Sequence, residues 1–144
     1  MESEKPKEII IRKAIWEDHD DISHILHHAF NTKSGSTRRW WNILSDTNAF
    51  PYVVVIDGFI VGTATLYILE KLIHTGGKVG IIEDVAMHER SRGLGVGKKI
   101  IDHLIEHAKL NNCYKVILSC NKNNIGFYEK CGFYKHEITM RKDL

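Results

Sequence analysis

The stretch between Gly80 and Ile101, GIIEDVAMHERSRGLGVGKKII, constrains this chain more than any other. It begins with an apolar run typical of a strand and ends in a helix, because Ile100, Ile101 and Leu104 recur at helical spacing. Three glycines at alternate positions of residues 93–97 connect the two. A strand, a glycine-rich loop and a helix in this order predict an α/β fold with an anion site where the helix begins.

The loop and the helix start have the physical properties of a phosphate site. The first N–H groups of a helix have no partner within it, and the helix dipole adds partial positive charge there. Glycines allow positive φ, so successive N–H groups can point into one concavity. Arg92, Lys98 and Lys99 add full positive charges. We therefore predict a phosphate or pyrophosphate site.

Two common phosphate motifs do not match this loop. A P-loop needs a Ser or Thr after its lysine to hold magnesium, and here a second lysine follows Lys98. The G-x-G-x-x-G fingerprint needs a wider last spacing than Gly93, Gly95 and Gly97 provide. What remains is the pattern R-x-x-G-x-G over residues 92–97. The alternative is a tight strand-to-helix turn that binds nothing.

Composition excludes several classes of protein. At 144 residues we expect a single domain over residues 1–144, with a hydrophobic core large enough to be stable without disulfides or a structural metal ion. The net charge is only +2, from 20 Lys and Arg against 18 Asp and Glu, so we expect no nucleic-acid partner. No apolar stretch is long enough to span a membrane, and the N-terminus lacks the apolar region of a signal peptide. Three cysteines do not make a disulfide framework, so we expect a cytoplasmic protein.

The hydrophobic pattern predicts a mixed, mostly antiparallel sheet flanked by helices, in the order β-α-α-β-β-β-α-β-α-β. Strands are predicted at residues 8–14, 51–56, 59–69, from Lys78 onward, 114–120 and 133–140. Helices are predicted at residues 18–30, 38–44, 98–109 and 123–130, with a loop at 31–37 that borders the site. His24 and His28 lie four apart outside the apolar stripe of the first helix. We expect them to be solvated, and we expect no metal.

The R-x-x-G-x-G loop resembles the pyrophosphate loop of the GNAT acetyltransferase superfamily, and the element order is that of the GNAT fold. Three further segments resemble the glucosamine-6-phosphate N-acetyltransferase family. They are residues 73–85, which include E-D-V, the C-Y-K at 113–115, and N-x-x-F-Y-E-K-C-G-F at 124–133. The resemblance covers about the last half of the chain; the first 50 residues share only the element order.

This resemblance implies acetyl-CoA as the cosubstrate. Its pantetheine arm would pair with the backbone of Val85, Ala86 and Met87, as a peptide adds to a strand edge. Asn124 would contact the same arm, and Tyr128 would present its hydroxyl to the thioester sulfur and protonate or stabilise the departing thiolate. The pyrophosphate would be held by Arg92, Gly93, Leu94, Gly95, Val96, Gly97 and Lys98.

The resemblance also implies glucosamine 6-phosphate as the acceptor, and a homodimer whose sugar site lies near the interface. Glu83 and Asp84 are the candidate catalytic carboxylates around the sugar, acting directly or through water. On a regular strand their side chains would point to opposite faces. The other candidates for the sugar or its phosphate are Lys71, His74, Tyr114, Lys115, Ser119 and Arg141.

Two positions depart from the family. Ser119 stands where the family usually has an acidic residue, so water, Glu83 or Asp84 would have to take its place. A basic residue near the chain end would fall on Asp143, and Arg141, with the same strand parity, could supply its phosphate contact.

The residues leave alternatives open. A ping-pong route through Cys120 or Cys131 would need a base, and no His flanks either cysteine. The chain could instead acetylate a protein or a polyamine, or be a non-catalytic acetyl-CoA-binding regulator. Tyr128 argues against the regulator, and the missing acid at Ser119 argues for it.

Overall fold

The computed structural model of the chain describes residues 7–33 and 35–144; the polar residues 1–6 and Ser34 of the predicted 31–37 loop lie outside them. Its strands are β1 (Ile9–Lys13), β2 (Ala49–Ile56), β3 (Phe59–Glu70), β4 (Lys78–Met87) and β5 (Cys113–Ile117). Its helices are α1 (His19–Phe30), α2 (Thr37–Ser45), α3 (Val96–Leu110) and α4 (Ile125–Lys130). The fold class predicted from the sequence is confirmed.

The five strands form one sheet in the order β1-β2-β3-β4-β5. The first four are antiparallel to their neighbours, and β5 runs parallel to β4. Asp57 and Gly58 both have positive φ, 51° and 81°, as a tight hairpin between β2 and β3 requires. The turn Ile73–Gly76 is irregular, since His74 and Thr75 also have positive φ. A parallel pair needs a long crossover, and α3 provides it.

Helices cover both faces of the sheet. On one face α3 packs Ile100, Ile101 and Leu104, each 0% exposed, against β2, β3 and β4. On the other face, α1 and α2 bury Ile22 and Trp40. We call these the α3 face and the α1/α2 face. None of the helices among residues 7–33 and 35–144 combines the length and apolarity needed to cross a membrane.

The predicted last strand, residues 133–140, is not formed. Phe133 packs against the core of the α3 face, but Tyr134, Ile138 and Met140 are 80%, 86% and 88% exposed. The hydroxyl of Thr139 lies 2.8 Å from that of Ser119, so the segment passes close to the end of β5 without pairing with it. Alternating apolar residues favour a strand, but a strand also needs a neighbour for its backbone groups.

A half-buried histidine ties α3 to the sheet. His107 Nδ1 lies 2.6 Å from the Tyr52 hydroxyl, and its ring centroid lies 4.3 Å from that of Phe50. Burial lowers the pKa of His107, and the positive charges of Lys13 and His103 lower it further. The neutral ring is therefore favoured in the folded protein.

We expect the free energy of unfolding to fall as pH is lowered from about 7 to 5. Histidine in the unfolded chain, with a pKa near 6.5, then binds protons that folded His107 resists. The variant His107→Gln keeps a polar partner for Tyr52 but does not titrate, so it should lose stability less steeply. His19 has the opposite effect on the pH dependence of stability, because its hydrogen bond to Asp20 raises its pKa. His19 is present in both proteins, so its contribution cancels when their slopes are compared. Urea unfolding at several pH values measures both slopes; equal slopes would contradict the expectation.

Candidate active site

The glycine loop between β4 and α3 takes its shape from two left-handed residues. A short 3-10 turn, Glu89–Ser91, follows β4. Gly93 and Gly95 then have φ of 77° and 69°, and a Cβ at either position would meet no atom within 4 Å. Backbone dihedrals, not crowding, therefore require glycine at both positions.

The loop leaves a set of N–H groups free at the start of α3. The first amide that bonds back into the helix is Lys99, whose N–H donates to the Gly95 carbonyl at 3.3 Å. Within the described residues, the four preceding amides, from Gly95 to Lys98, donate to no acceptor. No side chain caps this 15-residue helix. Free N–H groups and the positive end of a helix dipole suit an anion.

The third glycine has a different role. Gly97 is helical, and a Cβ there would lie 3.1 Å from Cζ of Phe127, so it lets α3 approach α4 closely.

The basic residues predicted at the loop differ in whether they form ion pairs. The Lys98 ammonium lies 2.6 Å from the Asp102 carboxylate, an exposed i,i+4 pair. Arg92 is exposed and makes no ion pair within the described residues.

The edge of β4 opens next to this loop. β4 pairs with β5 only from Lys78 to Ile81, so its remaining residues, 82–87, have no strand partner on that side among the residues that the structure describes. On the other side they still pair with β3, apart from an irregularity between Thr63 and Thr65. The open edge includes the backbone of residues 85–87, the segment that was expected to pair with pantetheine.

Asp84 causes the irregularity. Its φ is 53°, which is uncommon for a residue other than glycine and typical of a β-bulge. The prediction that Glu83 and Asp84 point to opposite faces assumed a regular strand, and the bulge breaks that alternation. Both side chains are exposed. Partial loss of hydration around the Glu83 carboxyl group raises its pKa, and the nearby negative charge of Asp84 raises it further.

Tyr128 is the most buried of the three candidate catalytic side chains. It is 9% exposed, and its ring lies edge-on to Phe127 and Phe133, with centroids 4.9 and 5.9 Å away. Burial raises the pKa of Tyr128, so its phenol stays protonated at neutral pH. Its hydroxyl makes no hydrogen bond to any described residue. Asn124 directly precedes α4, and its side chain is exposed.

Ser119 lies two residues past the end of β5. Ile117 pairs with Ile81 in parallel register, so Ser119 and Glu83, each two residues further on, stand at the same level across the opening. The Ser119 hydroxyl is already engaged by Thr139.

Four other candidates lie at the opposite end of β4. His74 stacks on Tyr114 with ring centroids 4.5 Å apart, and Lys115 Nζ lies 5.7 Å from the Tyr114 ring. The Lys71 amide donates to Gly77 in the same turn. Lys115 pairs with Val79, four residues before Glu83, and a strand rises about 3.3 Å per residue, so the backbone of this basic cluster lies about 13–20 Å from the bulge. A single copy of the chain does not bring the cluster and the carboxylates together.

Arg141 belongs to the exposed C-terminal segment. Its Nε lies 2.8 Å from the carboxylate of Asp143, the residue that stands at the family's basic position.

Among the described residues, no group of three His, Cys, Asp or Glu side chains is arranged to hold a metal ion.

Sequence reasoning did not identify three residues at this site. Phe127 sets the spacing of α3 and α4, Asp102 pairs with Lys98, and Tyr67 lies on β3 near the carboxylates. The i,i+4 spacing of Lys98 and Asp102 was a usable signal. The other two depend on contacts between distant segments.

The fold thus combines a glycine-rich loop that leaves backbone amides free at a helix start with an open strand edge beside it. The profile of the Acetyltransferase (GNAT) family matches residues 11–133, and the chain belongs to this family.

Several relatives have narrower names. Glucosamine 6-phosphate N-acetyltransferase of Candida albicans is 45% identical over 91 residues, 62% of this chain and 61% of the relative. The Arabidopsis thaliana protein of that name is 45% identical over 86 residues, 60% of this chain and 58% of the relative. The chain thus matches about three-fifths of the length of these curated relatives.

Solved structures match over almost the whole chain. The crystal structure of the Arabidopsis thaliana glucosamine-6-phosphate N-acetyltransferase is 35% identical, covers 94% of this chain and 98% of its own, and has a TM-score of 0.86. A Trypanosoma brucei acetyltransferase is 33% identical, covers 95% and 100%, and also has a TM-score of 0.86. A predicted acetyltransferase of Clostridium acetobutylicum, solved with acetyl-CoA, shares the fold at 21% identity, 94% and 96% coverage and a TM-score of 0.78.

Proposed function

We propose that this protein transfers the acetyl group of acetyl-CoA to the amine of glucosamine 6-phosphate, releasing CoA and N-acetylglucosamine 6-phosphate. The observation that carries the proposal is the 35% identity to a glucosamine-6-phosphate N-acetyltransferase over nearly the full length of both chains. The reaction would belong to cytoplasmic UDP-N-acetylglucosamine biosynthesis. The carboxylates at the β4 bulge and the phenol of Tyr128 give the site the groups that this chemistry needs.

The open edge and the loop fit acetyl-CoA, which supplies the activated acetyl group. Residues 85–87 offer the backbone N–H and C=O groups of an edge strand to the amides of the pantetheine arm. The free amides from Gly95 to Lys98 suit the pyrophosphate, and Arg92 adds a positive charge to the loop. Asn124 offers a side-chain amide next to α4.

Direct transfer of the acetyl group needs three functions, and different groups of the site supply them. Glu83 and Asp84 attract the substrate ammonium, and its proton leaves through one of them or through water before the nitrogen attacks. Backbone N–H groups of β4 stabilise the negative charge that develops on the thioester oxygen. Tyr128 gives its proton to the departing CoA sulfur as the carbon–sulfur bond breaks. Burial raises the pKa of Cys131, so its thiol stays protonated, which disfavours an acyl-enzyme on that residue.

We further infer that two copies form the working enzyme. The backbone of the basic cluster of Lys71, His74, Tyr114 and Lys115 lies about 13–20 Å from the carboxylates of its own chain, so the cluster of a second copy would serve the sugar phosphate. Leu72 is 100% exposed, and the apolar side chains of the C-terminal segment are also exposed, as expected of a surface that another chain covers. Light scattering tests this: a mass twice that of the chain is expected, and full activity from a single chain would contradict it.

Turnover of competing acceptors tests the function. We expect kcat/KM for glucosamine 6-phosphate to exceed that for glucosamine and for a lysine peptide by at least about 100-fold, because the site would hold amine and phosphate together. Turnover of the peptide alone would overturn the sugar assignment and leave the family intact. Acetyl-CoA binding without turnover of any amine would point to a regulator.

A further inference from the structure

Tyr67 stands on the α1/α2 face of the sheet, beside the carboxylates of the bulge. It lies directly opposite Ile81 on β4, and Glu83 is two residues further on. Diagonal neighbours of this kind lie about 7–8 Å apart, within reach of a tyrosine side chain. On its other side, Tyr67 faces Ala49 of β2, a small residue that follows the Asp46 turn. The register therefore places a phenol between two acidic segments.

The hydroxyl of Tyr67 is available to a ligand. The side chain is half-buried, and its hydroxyl makes no hydrogen bond to any described residue. Burial raises the pKa of Tyr67, and the negative charges of Asp84, Asp46 and Glu83 raise it further. The group is thus a protonated hydrogen-bond donor at neutral pH.

This phenol supplies what the carboxylates lack. An ionised carboxylate only accepts hydrogen bonds, whereas a sugar hydroxyl both donates and accepts. A phenol beside the carboxylates can donate to the oxygen of a ring hydroxyl while the carboxylates accept from the neighbouring ammonium. The same negative charges repel a phosphate, so the amine end of an amino-sugar phosphate would face Tyr67.

We propose that Tyr67 is a further substrate-binding residue, whose hydroxyl bonds a ring hydroxyl of the acceptor next to its amine and so favours hydroxylated amines over simple alkylamines. The proposal rests on the proposed function, because it assumes that the acceptor binds at the bulge. It concerns the acceptor alone; acetyl-CoA binding does not involve Tyr67.

Steady-state kinetics of Tyr67→Phe test the proposal. The loss of one hydrogen bond should raise KM for glucosamine 6-phosphate about 2- to 10-fold. We expect kcat and KM for acetyl-CoA to stay within about 2-fold, because the phenyl ring keeps the packing. The variant Tyr52→Phe removes a tyrosine hydroxyl on the α3 face, away from the bulge, and is the matched control: it should leave KM for both substrates unchanged. A general structural defect would move all the constants and the melting temperature.

A binding measurement removes the dependence on turnover. Calorimetric titration of glucosamine 6-phosphate into the CoA-bound protein should give the same 2- to 10-fold weakening in Tyr67→Phe. Unchanged KM and Kd in that variant would overturn the proposal while the function stands. If the wild type instead acetylates another amine, the function fails, and the KM for that amine in Tyr67→Phe still decides the role of Tyr67.

Discussion

The substitution Tyr128→Phe is expected to lower kcat by about 10²- to 10⁴-fold, the usual loss when a positioned general acid is removed. The phenyl ring keeps the contacts with Phe127 and Phe133, and only the hydroxyl is lost. Stability and KM for acetyl-CoA should therefore change little. Initial rates of CoA release, with thermal unfolding in parallel, measure the effect.

The identity of the leaving group makes this test specific. A more acidic thiol needs less protonation as it departs. With an acetyl thioester of such a thiol, the difference in kcat between Tyr128→Phe and the wild type should therefore be smaller. A variant that releases CoA at more than about a third of the wild-type rate would contradict the assignment. An equal loss with both thioesters would indicate that Tyr128 positions the ligand and does not act as the acid.

The substitution Gly95→Ala is expected to raise KM for acetyl-CoA by about 5- to 30-fold. An alanine at φ 69° costs about 1–2 kcal/mol, and the loop avoids that cost by turning its amides away from the anion. The loss should appear for acetyl-CoA and not for the amine. Steady-state kinetics with each substrate varied in turn separate the two.

Gly126→Ala is the matched control for Gly95→Ala. Gly126 lies within α4, without positive φ, and a Cβ there would meet nothing within 4 Å. The change should leave KM unaltered and raise stability by up to about 1 kcal/mol, the difference in helix propensity. If both variants raised KM alike, the left-handed conformation of Gly95 would not be the cause.

The parts of the site that sequence predicted are those determined locally. The glycine spacing and the apolar period of α3 lie within one continuous stretch, so no distant contact was needed to expect the loop. Tyr128 followed from the segment that resembles the family. Its burial against Phe127 and Phe133 depends on how α4 docks, which the pattern alone does not give.

The parts that sequence missed depend on pairing between segments. Asp84 sits in an apolar run with nothing to distinguish a bulge from a regular strand, and only the register with β3 reveals it. The strand expected at residues 133–140 finds no strand partner in the described ranges 7–33 and 35–144. The position of Tyr67 beside Glu83 follows from cross-strand register, which alternation along one strand cannot supply.

Amide hydrogen exchange by NMR, with and without acetyl-CoA, tests most directly the claim that the open edge of β4 and the glycine loop form one acetyl-CoA site. We expect acetyl-CoA to slow exchange at residues 85–87 and at the free amides from Gly95 to Lys98, and to leave exchange in the basic cluster near Tyr114 unchanged. Protection elsewhere, with residues 85–87 and 95–98 exchanging as before, would contradict it.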